Sequence, residues 1–96
     1  MTNIAAQKKI KLNDLPEMLF VKSSNLEAFG YDEDTKDLYV IFKSNAVYAY
    51  EGVEKDVVQG LANAVVKEES VGKFFIAAVR SQGYPFRHVG SFEAQS

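Results

Sequence analysis

Leu38-Tyr39-Val40-Ile41-Phe42-Lys43-Ser44-Asn45-Ala46-Val47-Tyr48-Ala49-Tyr50 is the stretch whose reading decides the fold. Leu38 to Lys43 alternates around β-branched and aromatic residues, Ser44-Asn45 is a short polar break, and Val47 to Tyr50 resumes the pattern, which describes a β-hairpin. A two-residue turn at Ser44-Asn45 pairs Phe42 with Val47 and Val40 with Ala49. Strand side chains alternate between faces, so this register gives one face to Leu38, Val40, Phe42, Val47 and Ala49 and the other to Tyr39, Ile41, Tyr48 and Tyr50. A three-residue turn changes the parity and moves Val40 and Phe42 to the tyrosine face.

Working outward, Phe20 to Tyr31 is an irregular strand-like stretch, and the run Asp32-Glu33-Asp34-Thr35-Lys36-Asp37 is an acidic hairpin loop. Three strands therefore follow one another as an antiparallel meander. Val53, Val57, Leu61 and Ala64 recur every three to four residues, which predicts a helix over Glu54 to Val65 despite the weak helix former Gly60. Lys67-Glu68-Glu69 is a charged connector. Ser70 is a natural N-cap for a second helix with apolar positions Phe74, Phe75, Ala78 and Val79, and Gly83 ends it. Tyr84-Pro85-Phe86 then leaves in an extended form. Residues 1–19 are read as a mobile or partly ordered arm, with Leu15-Pro16 near the start of the folded part, and 91–96 as a tail. The expected fold is a single α+β domain over 20–90: an antiparallel three-stranded meander followed by two helices packed on the sheet.

With 96 residues, 47% hydrophobic and 25% charged, the chain has the composition of one globular domain. It contains no cysteine, which excludes disulfides, thiolate metal sites and a cysteine nucleophile. Its apolar runs are far below the roughly 18 residues of a membrane span, and no signal-peptide pattern opens it, so a cytoplasmic protein without membrane contact is expected, in the host cytoplasm if it is phage-encoded. Charge is uneven. Between Asp14 and Glu69 there are twelve acids and five bases, whereas Lys8, Lys9, Lys11, Lys73, Arg80 and Arg87 outside that stretch face only Glu93. A sequence pI near 5.3 argues against broad binding to duplex nucleic acid.

Two constellations point to a ligand. Tyr39, Tyr48 and Tyr50 offer a sheet surface on which unpaired bases stack, if no helix covers it. Lys73, Arg80, Arg87 and His88 lie in an acid-free stretch, and Ser70 with Gly72 sets backbone N–H groups at a helix start suited to an anion. Each also has a plain structural use: tyrosines under a helix are core, and basic side chains on a wet helix face need no ligand. Ser23, Ser24 and Asn25 fit a turn or strand edge. The acidic loop lacks the spacing of a calcium site, so no metal is expected. His88 stands without a nucleophile motif, and no phosphate-binding glycine loop or metalloprotease signature occurs, so neither catalysis nor a cofactor is expected.

Taken together, Ser23-Ser24-Asn25-Leu26, Gly30-Tyr31-Asp32, the Leu38 to Phe42 strand, Tyr48-Ala49-Tyr50, and Ser70-Val71-Gly72-Lys73-Phe74-Phe75 with Arg80 give the chain a likeness. It resembles the KTSC domain family over about Val21 to Val89. That family is found at the C-terminus of some lysyl-tRNA synthetases and as small stand-alone bacterial and phage proteins. Its Tyr-x-Tyr motif is matched by Tyr48 and Tyr50, and the resemblance implies RNA binding. Two departures stand out: Val65 to Glu69 is longer than the usual link before the Ser-x-Gly element, and Ile76-Ala77-Ala78 is apolar where polar residues are expected. The expected function is a non-catalytic module for RNA or a nucleotide, using Tyr39, Tyr48, Tyr50, Ser70, Gly72, Lys73, Arg80 and Arg87. The alternative is a small protein-interaction factor, such as a phage-encoded modulator of a host protein, and self-association is a further use of an open sheet face or edge.

Overall fold

A computed structural model describes residues 9–67 and 69–93. Within them the chain forms β1 (Lys9–Ile10), β2 (Met18–Phe20), β3 (Leu26–Asp32), β4 (Asp37–Phe42), β5 (Ala46–Tyr50), α1 (Lys55–Val66), α2 (Val71–Ala78) and β6 (Phe86–Phe92). Short 3-10 turns at Leu12–Asp14 and Arg80–Gln82 complete it. No helix among the described residues is long and apolar enough to cross a membrane.

The β4–β5 turn holds three residues, Lys43 to Asn45, rather than two. Ile41 lies opposite Val47, Val40 opposite Tyr48 and Leu38 opposite Tyr50. The Asn45 N–H donates to the Phe42 carbonyl at 2.8 Å, and Asn45 itself sits at φ 72°. A tight turn followed by one left-handed residue is the usual way three residues join twisted strands, and asparagine tolerates that conformation better than most side chains. The two-residue register is therefore corrected: Val40 and Phe42 share a face with Tyr48 and Tyr50, and Tyr39 and Ile41 point the other way.

The meander is also larger than three strands. The sheet has six, in the order β1-β6-β5-β4-β3-β2, mixed because β1 runs parallel to β6 while all other pairs are antiparallel. Lys9–Ile10 and the first two residues of Met18–Phe20 come from the stretch expected to be an arm, and Phe86–Phe92 begins in the Tyr84-Pro85-Phe86 segment expected to be extended and runs on as a strand. Ser91 and Phe92, assigned to a tail, are in β6, where the Phe92 N–H donates to the Asn45 carbonyl at 2.7 Å. The arm residues 1–8 and tail residues 94–96 lie outside the described residues.

Because β1 and β2 are the two outermost strands yet only residues 11–17 separate them in the chain, the sheet has to curl until its edges approach. The right-handed twist of paired strands supplies part of that curvature. Rings of Phe20 and Phe92 meet across the curl with centroids 6.3 Å apart. Ile10, Ala28, Ile41, Val47 and Phe92 are buried inside it, with Leu15, Met18 and Val89 packed around them.

On the opposite face, both helices cover the sheet. Leu61 and Ala64 of α1 and Val71 and Phe75 of α2 pack on Leu26, Phe29, Leu38, Val40 and Tyr50. The start of α1 is tied down by the Tyr31 hydroxyl, which donates to the Val53 carbonyl. Gly60, weak by helix propensity, is needed for the α1–α2 approach: a Cβ there would come 2.5 Å from Cζ of Phe74. The Ser70 hydroxyl accepts the Lys73 N–H at 3.4 Å and so caps α2.

Candidate functional site

Concavities lie along the helix side of the sheet, between α2 with the turn after it and strands β4 to β6. The aromatic part of this groove is made by strand alternation: Phe42 from β4, Tyr48 and Tyr50 from β5, and Phe86 and His88 from β6 point the same way. Cross-strand pairing sets Tyr50 beside Phe86 and Tyr48 beside His88. Tyr48 stacks on His88 at 4.9 Å and 29°, and Phe86 lies within 5.9 Å of Tyr48 and 5.6 Å of Tyr50. Phe75 anchors the cluster from α2, edge-on to Tyr50 at 5.5 Å and to Phe42 at 5.9 Å. Tyr50 is 6% exposed, whereas Phe86 at the outer rim is 62% exposed. One tyrosine of the Tyr-x-Tyr pair is therefore core and the other, Tyr48, is half-buried under an open shelf.

Arg80 stands at the middle of the groove. It opens the 3-10 turn after α2, and Gly83, at φ 79°, turns the chain back toward β6. A chamber of about 540 Å³ lies between Arg80, Tyr84, Phe86, Tyr48 and Tyr50. On the other side of Arg80 and Phe42 is a chamber of about 320 Å³ lined by Ser24, Asn25, Lys43, Gly72 and Ile76. Beyond it, Lys22, Ser23, Glu69, Ser70 and Lys73 border a third concavity of about 530 Å³ that shares Asn25 and Gly72.

Lys36, Lys43, Lys55 and Arg87 each have a carboxylate within 4 Å. Among the described residues Arg80 and Lys73 have none, as is also true of Lys9, Lys11, Lys22 and Lys67. Burial pushes the Tyr50 phenol above its ordinary pKa, and the nearby Arg80 guanidinium offsets part of that rise.

Of the residues singled out in the sequence, Tyr48, Tyr50, Ser70, Gly72, Lys73 and Arg80 border this continuous groove. Tyr39 and Arg87 do not. They lie on the opposite face, where the Arg87 guanidinium donates to Glu51 at 3.0 Å, Asp37 at 3.1 Å and the Tyr39 hydroxyl at 3.4 Å. Those bonds hold its pKa above the ordinary value, Asp37 contributing most. Arg87 thus clasps β4, β5 and β6 together. Phe42, Tyr84 and Phe86 belong to the groove and were missed. The period-two spacing of Tyr84, Phe86 and His88 was the available signal, since it places three rings on one side of an extended segment. Asn25, read as a turn residue, both supports a turn and faces the smaller chamber.

Comparison with known proteins agrees with this architecture. The KTSC domain model matches residues 22–84. An uncharacterised protein of Stutzerimonas stutzeri (strain A1501) is 38% identical over 66 residues, which cover 69% of this chain and 87% of the relative. The crystal structure of a KTSC domain protein from Yersinia pestis superposes with a TM-score of 0.65 at 31% identity, covering 77% of this chain and 97% of that one. On sequence and fold alike, the chain belongs to the KTSC domain family.

Proposed function

We propose that the domain is a non-catalytic binding module of the cytoplasm that takes single-stranded RNA or a nucleotide in the groove between α2 and β6. The observation that carries this reading is Arg80: an exposed guanidinium without a carboxylate partner among the described residues, set between an aromatic chamber and one that carries Ser24, Asn25 and Ser44 beside apolar side chains. Bases stack on exposed rings without regard to sequence, and guanidinium groups recognise phosphate in a two-pronged manner, so the pair suits a nucleotide chain. Tyr48 and Phe86 supply the rings. Arg80, with Lys73 at the far end beside Ser70 and Gly72, supplies the charge.

Titrating a fluorescently labelled single-stranded RNA at low and at moderate salt tests it. Two phosphate contacts predict a salt slope of about −1.4, from about −0.7 per contact in single strands. Absence of binding at low salt refutes the reading.

A second reading, a protein-interaction factor, draws on the β2 edge, where Leu19 is 43% and Phe20 46% exposed. Exposed apolar side chains on an edge strand suit strand addition by a partner. A nuclease-treated pull-down separates the two: a protein retained through β2, and lost on Leu19→Lys, supports this reading, and its disappearance with the RNA supports the first.

A further inference from the structure

We infer that the groove recognises a dinucleotide step of single-stranded RNA, with the bridging phosphate at Arg80, one base on the Tyr48–Phe86 shelf, and the neighbouring base in the smaller chamber, where Asn25 reads its edge. This assignment rests on the nucleotide reading above and adds to it the size of the recognised unit and the residue that sets its specificity.

The two chambers have only Phe42 and Arg80 in common. A ligand that fills both must therefore pass over this pair. The part of the ligand at the crossing meets a cation without a carboxylate partner among the described residues, so it is the part that carries negative charge. The chambers differ in chemistry. The larger is walled by rings, with Phe86 open to solvent, and accepts any base by stacking. The smaller sets Ser24, Asn25 and Ser44 beside Leu26, Phe75 and Ile76, and its own lysine, Lys43, is held by Glu27 at 3.1 Å. A second phosphate is thus not drawn into it, and the polar groups left to meet a ligand are uncharged.

Asn25 is the best placed of these. Its backbone N–H donates to the Ser23 hydroxyl at 3.2 Å, and its carbonyl accepts the Lys43 N–H at 2.9 Å. Those two bonds hold the residue in place at the chamber wall. Its carboxamide makes no hydrogen bond to any described residue, so a full donor and acceptor pair is free. A carboxamide matches a base edge that presents a donor and an acceptor side by side, as adenine does. Lys73 lies farther on, in the next concavity, where the following phosphate of a longer strand would run.

Isothermal titration of the full chain with adenylyl-adenosine (ApA), with AMP, and with ApA carrying an uncharged methylphosphonate link tests this. ApA is expected to bind at least about tenfold more tightly than AMP, although AMP carries more charge, because it adds a second base contact. The uncharged link is expected to lose about tenfold in the wild-type protein and nothing in Arg80→Gln, whose exposed side chain makes no ion pair with the described residues. Asn25→Ala is expected to flatten the preference among the four bases at one position of the dinucleotide only. AMP binding as tightly as ApA overturns the dinucleotide unit and leaves the nucleotide reading standing. Base preference unchanged at both positions in Asn25→Ala overturns the role given to Asn25. Failure of ApA, AMP and a single-stranded RNA decamer all to bind overturns both this assignment and the reading beneath it.

Discussion

Asn45 offers a clean test of how the fold is decided, because its backbone conformation and its side chain can be separated. Its N–H and carbonyl are both used, in bonds to Phe42 and Phe92 at 2.8 and 2.7 Å, while its side chain is exposed and makes no hydrogen bond to the described residues. Substitution therefore changes little except the ease of holding φ at 72°. For an ordinary L-residue that region costs roughly 1–2 kcal/mol, glycine enters it freely, and asparagine lies between. A β-branched side chain is worst of all there. The expected order of stability is Gly at or above Asn, then Ala, then Val. Asn45→Val should lose about 1–2 kcal/mol, and each kcal/mol lowers the thermal midpoint of a domain this size by about 4–8 °C. Urea denaturation followed by circular dichroism measures it. Asn45→Val as stable as wild type, or Asn45→Gly clearly less stable, would refute the three-residue turn and with it the shared face of Phe42, Tyr48 and Tyr50.

Other consequences concern packing, pH and the groove. Gly30→Ala places a Cβ against the Met18 sulfur and the Glu17 carbonyl. It should cost about 1–3 kcal/mol and raise hydrogen exchange in β2 first, where a stable, unperturbed β2 would count against the tight β2–β3 approach. Burial raises the Tyr50 phenol above its ordinary 10.0, and Tyr31 is raised in the same way. A raised folded-state pKa contributes stability that is full below the unfolded value and is lost as pH climbs through the folded one. Alkaline unfolding should therefore begin near pH 10, and Tyr50→Phe should shallow the fall; an unchanged pH profile in that variant would show the phenol is not protected. Phe86→Ala, at the open rim, should lose no more than about 1 kcal/mol of stability yet weaken single-stranded RNA about tenfold. Equal affinity would remove the shelf from the site.

The sequence was legible where the governing physics is local. The first helix, read as Glu54 to Val65, runs over Lys55–Val66 with Glu54 at its N-cap, because a three-to-four-residue apolar period needs only one neighbouring face to bury it. Ser70 caps α2 as expected, whereas α2 stops at Ala78 and Gly83, expected to end it, instead closes the 3-10 turn that follows in a left-handed conformation. The Tyr-x-Tyr element and the Ser-x-Gly element do come to one groove.

What escaped depends on contacts distant in the chain. Lys9-Ile10 has no pattern of its own and is a strand only because β6 offers it an edge. β6 itself pairs with β5 after a long helical crossover, which no local periodicity announces. Arg87 looked available because its sequence neighbours include no acid, yet Glu51 and Asp37 reach it from 36 and 50 residues away. Tyr39 followed from the same parity error as the rest of the hairpin. Ser44-Asn45 without a following glycine is a poor two-residue turn, and the asparagine in third place was the clue to three.

The groove is tested most directly by amide NMR shift mapping during titration of a single-stranded RNA decamer. Shifts that saturate at Asn25, Gly72, Tyr48, Arg80 and Phe86, with Tyr39 and Arg87 unmoved, are the expected result. Shifts centred on Tyr39, Arg87 and the opposite face would contradict it.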